Sequence, residues 1–353
     1  MQHNKINNLA LILLISLNLS CALTALSAQA EECATPRATG TGTAHSVQVD
    51  GHPIALWSKT PATPPKATLL LVHGRTWSGR PDFDLATDCE DLSLMNGLVA
   101  MGIETFAVDM RGYGETPRDE SGWLTPNRAA RDIAGVLGWL FERARQTSEE
   151  SREPSGDQSS EPSSDEQFKA HLFGWSYGAT MAQLAVQQQP QLAKSLSLFG
   201  YAVRRGYSTT PKNLPLEPPR AANTHANAIS DFIVPNSINP GAIEAFALAA
   251  LAADPIRTDW NNLEQWKALD ARKVSVPTLL LQGEFDPLTR RRVHKKLFRR
   301  LPHANKQWVV LKGGDHAAFM ETPRAEFITT LARFVLDNNT LDNTLDNYKR
   351  ETP

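Results

Sequence analysis

Metal-binding patterns are missing from this sequence. It has no H-E-x-x-H, no paired Cys-x-x-Cys and no carboxylate cluster, so nothing in it calls for a metal. Gly40-Thr41-Gly42 lacks the strand-turn-helix setting of a nucleotide loop and reads as linker. Charge of one sign is lacking too. With 36 basic and 38 acidic residues the net charge is −2, which argues against a general nucleic-acid binder. Glycine (21) and proline (23) follow no collagen-like period, and 41% hydrophobic content excludes wholesale disorder. What is left is an ordinary globular chain of 353 residues, long enough for one large domain or two small ones.

Long apolar runs are absent except near the start. Lys5 supplies a positive charge, an apolar stretch follows from Leu9 to Leu19, and small residues end in Ala28-Gln29-Ala30. This is the pattern of an export signal over residues 1–30. Its removal takes away Lys5 and brings the net charge from −2 to about −3. Asn18, Ser20 and Thr24 interrupt the apolar run, which makes it a poor membrane span. Asn18-Leu19-Ser20-Cys21 is a weak lipoprotein box, with Asn18 where leucine is expected. The expected location is secreted or periplasmic, with no stable membrane insertion after cleavage. Cysteine is scarce as well. Once Cys21 is removed only Cys33 and Cys89 remain, in a compartment where disulfides persist, and one bridge between them is expected.

The rest of the chain alternates. Residues 46–58 read as two short strands joined by Asp50-Gly51, a hairpin signal. Continuous apolar runs at Ala67–His73, Ile103–Asp109, Lys169–Trp175, Ala193–Gly200, Val276–Gln282 and Gln307–Leu311 mark strands buried on both faces. Amphipathic stretches at about 90–101, 127–145, 178–188, 288–300 and 323–336 separate them. The expected fold is α/β, a doubly wound, mostly parallel sheet. Two segments break the pattern. Residues 147–166 are rich in Ser, Glu, Asp and Pro and read as a disordered acidic excursion. Residues 201–269 form a long insertion, loop-like around Pro211 to Pro219 and helical from Gly241 to Ala253. Residues 31–45 read as an N-terminal linker, and the Leu-Asp-Asn repeats make 338–353 an unstructured tail. Arg290-Arg291-Arg292 with Lys295, Lys296, Arg299 and Arg300 reads as a solvated helix face.

Chemistry concentrates at strand ends. Gly174-Trp175-Ser176-Tyr177-Gly178 is a G-x-S-x-G pentapeptide closing one strand and opening a helix. Such a turn lifts the Ser176 hydroxyl clear of the sheet. A hydroxyl needs a base, and nine histidines are available. His316, in Gly313-Gly314-Asp315-His316-Ala317 after the last strand, is the candidate. The base needs an acid. Asp286 ends a strand before Pro287 and is chosen over its neighbour Glu284. An oxyanion needs fixed N–H donors. Tyr177 is one. Arg75, in the turn His73-Gly74-Arg75-Thr76-Trp77, is the other, with Thr76 as its alternative. Trp77 and Trp175 line an acyl pocket or are plain core.

With these residues in place, residues 46–337 resemble an α/β-hydrolase of the single-domain, cap-bearing kind. The order Ser176…Asp286…His316 is that family's order. Val108-Asp109-Met110-Arg111-Gly112-Tyr113-Gly114 resembles its D-x-R-G-x-G loop, where Asp109 and Arg111 are structural. The insertion at 201–269 stands where the family's helical cap stands. A serine at the elbow, instead of aspartate, argues against epoxide hydrolase and dehalogenase activity. The expectation is an exported serine hydrolase acting on a small-molecule ester, without cofactor. An amide or short peptide, or a haloperoxidase-like perhydrolase reaction, would use the same triad. A hydrolase-fold binding module is the non-enzymatic alternative.

Overall fold

Continuous apolar strands have to be buried on both faces, and the computed structural model shows how. It describes residues 34–37, 42–150, 165–201, 210 and 214–350. Eight strands form one sheet: β1 (Thr43–Val49), β2 (His52–Lys59), β3 (Ala67–Val72), β4 (Ile103–Val108), β5 (Ala170–Trp175), β6 (Ala193–Phe199), β7 (Thr278–Gly283) and β8 (Lys306–Leu311). Their spatial order is β8-β7-β6-β5-β3-β4-β2-β1. β2 pairs antiparallel with both β1 and β4, and the pairs from β4 through β8 are parallel. Asp50 (φ 51°) and Gly51 (φ 74°) turn the β1–β2 hairpin.

The main helices are α1 (Leu94–Ala100), α2 (Pro126–Glu150), α3 (Tyr177–Gln188), α4 (Pro240–Ala253), α5 (Arg291–Arg300) and α6 (Arg324–Arg350). Alternate side chains divide between two cores. Leu70, Val72, Leu172, Leu198 and Leu280 face the layer of α2, α3 and α5. Leu69, Leu71, Phe173, Phe199 and Leu281 face α1 and α6. That division explains why these strands read as unbroken apolar runs. The basic helix α5 buries only His294 and Leu297, and its cations point outward.

Between β6 and β7 the insertion carries a short helix, His225–Ile229, and then α4. Asn239 starts α4 by accepting the Gly241 N–H (2.8 Å), and Pro240 occupies the first turn. Phe246 of α4 meets the Trp77 ring edge-on, so the insertion covers the sheet edge as a cap. Asp254, just past α4, accepts the Ser78 and Gly114 N–H groups, each at 2.8 Å. Asp109 accepts those of Gly79 and Glu115. Two buried carboxyls thus fasten the loops after β3 and β4.

Several segments read from the sequence lie outside the described residues: the export signal at 1–30, Cys33, and 151–164 of the acidic stretch. The Cys33–Cys89 bridge is therefore not among the described features. Cys89 Sγ lies 3.4 Å from Thr87 Oγ1. Helix α2 runs on to Glu150, into the stretch that reads as acidic loop. Helix α6 continues through the Leu-Asp-Asn repeats to Arg350, because no glycine or proline between Arg324 and Thr352 stops it. Pro36–Arg37, in the segment that reads as linker, pairs with Ala86–Thr87.

Arg111 shows how the D-x-R-G-x-G loop is held. Its guanidinium grips Asp132 of α2 through Nε (2.7 Å) and a second nitrogen (2.8 Å), and it also reaches the Val49 carbonyl (3.2 Å). Both residues are buried. The variant Asp132→Ala takes away the close partner of the buried cation and leaves it only Asp119, 3.8 Å away. It should cost about 3–5 kcal/mol in denaturant unfolding. A loss below about 1 kcal/mol would show that the pair does not hold this loop.

Candidate active site

Ser176 sits between β5 and α3 with φ 56° and ψ −117°, angles rarely adopted by a residue with a side chain. The turn closes on itself. Ser176 N–H donates to the Phe199 carbonyl (2.8 Å), and the Ser176 carbonyl accepts from Ala179 N–H (3.1 Å). A methyl at Gly178 would strike the Val72 and His73 carbonyls, and one at Gly174 would strike the backbone of Gly178. The two glycines of the pentapeptide are there because the helix start crosses the strand ends at backbone contact.

The structure brings Ser176, His316 and Asp286 into one hydrogen-bonded chain. Ser176 Oγ lies 2.8 Å from His316 Nε2, and His316 Nδ1 lies 2.8 Å from Asp286 Oδ2. Asp286 Oδ1 accepts the N–H groups of Leu288 (2.8 Å) and Thr289 (3.3 Å), which fix the carboxylate in the turn after β7. Glu284, the sequence-level rival, points elsewhere and accepts the Gly313 N–H (3.0 Å). Because the Asp286 carboxylate accepts, Nδ1 carries the proton and Nε2 faces the hydroxyl as an acceptor.

Burial shapes the protonation of both partners. It pushes the Asp286 carboxyl up, but the hydrogen bond and charge of His316 and the Leu288 N–H outweigh it, leaving Asp286 below the ordinary range. Burial pulls the His316 imidazole down. The bond to Asp286 and the charges of Asp286, Asp231 and Asp315 outweigh that, so His316 lies above its ordinary 6.5. Trp175 Nε1 donates to the His316 carbonyl (2.7 Å), holding the base loop against β5. At the end of β6, Gly200 (φ 61°) leaves room for the ring, since a methyl there would sit 2.9 Å from His316 Cε1.

The turn after β3 carries Arg75, and Tyr177 follows Ser176 at the start of α3. Both line one cavity of about 180 Å³ with Ser176, His316, Trp77 and Trp175. The turn is anchored by residues that sequence reading did not single out. His73 Nε2 accepts the Met110 N–H (3.1 Å), so Nδ1 donates to the Gly74 carbonyl (2.8 Å). Burial lowers this imidazole to about 4 and keeps it neutral. Asp82 accepts the Gly74 N–H (3.2 Å), and Tyr113 OH donates to the Arg75 carbonyl.

Asp315, next to the base, was also missed. Its carboxylate accepts N–H groups from Ile233 and Val234 of the cap, both at 2.6 Å, and from Ala317 (3.0 Å). Glu321 accepts the Asp315 N–H (2.8 Å) and the hydroxyl of Ser237 in the cap (2.9 Å). The cap and the base loop are therefore one hydrogen-bonded unit. Asp231, on the same cap segment, lines the cavity. None of these acids sits in a pattern that sequence alone distinguishes from helix capping. Among the described residues no group of His, Cys, Asp and Glu is arranged to hold a metal ion, and no helix is long and apolar enough to cross a membrane.

A base that must be neutral and lies above 6.5 gives activity that rises with pH through a midpoint above 6.5. The variant Asp286→Asn removes the strongest of the groups that raise it and leaves burial, with Asp231 and Asp315 in place. The midpoint should fall, and kcat should drop by about 10⁴. An unchanged midpoint in a pH–rate series would contradict the assignment. The variant Gly200→Ala should push the ring aside and lower kcat by about 10², with the fold intact by circular dichroism. Wild-type kcat in that variant would show that the ring does not depend on this gap.

The fold has many counterparts among solved structures. A thioesterase domain from the curacin biosynthetic pathway is 18% identical, with a TM-score of 0.53 over 84% of this chain and 100% of that one. A bacterial membrane phospholipase A is 18% identical, with a TM-score of 0.53 over 96% and 99%. E-2-(acetamidomethylene)succinate hydrolase is 19% identical, with a TM-score of 0.55 over 84% and 99%. At these identities the likeness is one of fold. No curated protein matches the sequence. Residues 63–323, by contrast, match the family described as serine aminopeptidase, S33, so the chain belongs to that family of α/β-hydrolases and carries a serine-hydrolase active site.

Proposed function

We propose that the protein cleaves carboxylic esters through an acyl-enzyme on Ser176, after export and removal of residues 1–30. The observation that carries this reading is the unbroken chain from Ser176 Oγ through His316 to Asp286. Ser176 Oγ attacks the ester carbonyl while His316 Nε2 takes its proton. The oxyanion is held by the N–H groups of Arg75 and Tyr177. His316 then gives the proton to the departing alcohol, and the C–O bond breaks. Water, deprotonated by His316, attacks the acyl-enzyme and releases the acid. The stabilised imidazolium lets one histidine serve as base and then as acid.

The cavity of about 180 Å³ lies below the roughly 300–1,000 Å³ of sites for drug-sized ligands, which favours short acyl groups. An amide reading is favoured by the family's description as an aminopeptidase. Esters are preferred because an alkoxide leaves more easily than an amine.

A fluorophosphonate probe tests the nucleophile. It should label the wild-type protein and leave Ser176→Ala unlabelled. Labelling that survives in Ser176→Ala would place the nucleophile elsewhere. A panel of p-nitrophenyl esters of graded length, run beside anilides, should show short esters cleaved fastest. Faster anilide cleavage would turn the assignment to an amidase.

A further inference from the structure

The catalytic cavity has two cationic side chains in its wall, Arg75 and Arg257, and the proposed ester hydrolysis uses neither guanidinium. Arg75 is needed there only for its backbone N–H. Its guanidinium lies over the Tyr177 ring, 5.4 Å from the centroid. Arg257 comes from the cap, on the stretch that follows α4. Its backbone is fixed on both sides: its N–H donates to the Ala221 carbonyl (2.8 Å), and its own carbonyl accepts from Arg118. One residue on, Thr258 Oγ1 donates to the Gly112 carbonyl (2.6 Å). Two residues further, Trp260 packs edge-on against Tyr177 with centroids 4.8 Å apart, and its Nε1 donates to Tyr113 OH (2.9 Å). Both arginines therefore belong to the side of the cavity built on Tyr113, Tyr177 and Trp260. Among the described residues the Arg257 guanidinium forms no ion pair, although Asp259 on the same stretch pairs with Arg118 (3.1 Å) of the loop after β4.

The same cavity also carries two acids, Asp82 and Asp231. Asp231 feels the charges of His316, Asp315 and Asp286, which places it beside the triad. Asp82 is fully buried, with Oδ2 on the Gly74 N–H. Burial and the neighbouring Asp231, Asp254 and Asp109 push its carboxyl well above the usual range, while the Gly74 N–H opposes them. Burial also raises Asp231, to about 6. Burial thus opposes negative charge on the two acids that share the cavity with Arg75 and Arg257.

Resting on the ester or amide hydrolysis proposed above, we infer that Arg257, with Arg75, forms an anion subsite, and that the natural substrate carries a carboxylate within a few atoms of the scissile carbonyl. A planar fork of donors matches a carboxylate in two parallel hydrogen bonds. A cavity this small leaves no room for a long apolar chain between the two groups. Arg257 is then a specificity-determining residue, acting on binding and not on the attack by Ser176.

The test compares monomethyl glutarate with methyl butyrate in a pH-stat, using the full chain. The wild-type protein should prefer the carboxylate-bearing ester by tenfold or more in kcat/KM. Arg257→Gln should lose at least tenfold of that preference, mainly through KM, and Arg257→Lys should recover part of it. High salt should weaken the wild-type preference. A wild-type preference for methyl butyrate, or a ratio unchanged in Arg257→Gln, would overturn the subsite. So would failure to cleave either ester while a fluorophosphonate still labels Ser176, and the hydrolase reading would stand in that case. Absence of labelling in folded wild-type protein would bring down the hydrolase reading, and the subsite with it.

Discussion

The active site depends on one strained residue. Ser176 adopts backbone angles that cost of order 1–3 kcal/mol, and the surrounding structure has to impose them. It does so at the carboxyl edge of a parallel sheet, where β5 ends between β3 and β6. The Phe199 carbonyl of β6 takes the Ser176 N–H, and Gly178 lets α3 pass the end of β3 at backbone distance. Because β3, β5 and β6 lie side by side, their following loops meet at one place. The turn with Arg75 comes from the first, the serine from the second, and Gly200, which makes space for the imidazole, from the third.

The same geometry sets the electrostatics. His316 is buried and ought to be hard to protonate, yet carboxyls at Asp286, Asp231 and Asp315 surround it and reverse that tendency. Only Asp286 bonds the ring. Asp315 spends its oxygens on backbone N–H groups of the cap, so the residue beside the base also tethers the element that covers the cavity. Position of the base and closure of the cap are thereby set by one network, which also includes Glu321 and Ser237.

Much of this was legible in the sequence because the signals are local. An apolar run bounded by glycine is a buried strand whatever surrounds it, and the observed strand ends lie within two or three residues of the runs. The pentapeptide around Ser176 carries its own steric logic. Asp286 and His316 stand directly after strands, where a parallel sheet gathers its functional groups. What escaped is long-range. His73 works through Met110, 37 residues away. Asp315 meets a cap segment more than 80 residues distant in the chain. Asp82 and Asp231 become cavity walls only when the cap folds over the sheet. Nor did composition show that α2 continues to Glu150, since a helix already anchored by Ile133, Leu137 and Leu140 can extend through polar residues.

The central claim is covalent: the acyl group passes through Ser176 Oγ. Rapid-quench mass spectrometry during turnover of a p-nitrophenyl ester tests it most directly. The intact protein should gain the mass of one acyl group, and fragmentation should place it on the peptide containing Ser176. Turnover with an adduct on a different side chain, or with no adduct under conditions where deacylation has been slowed, would contradict the account.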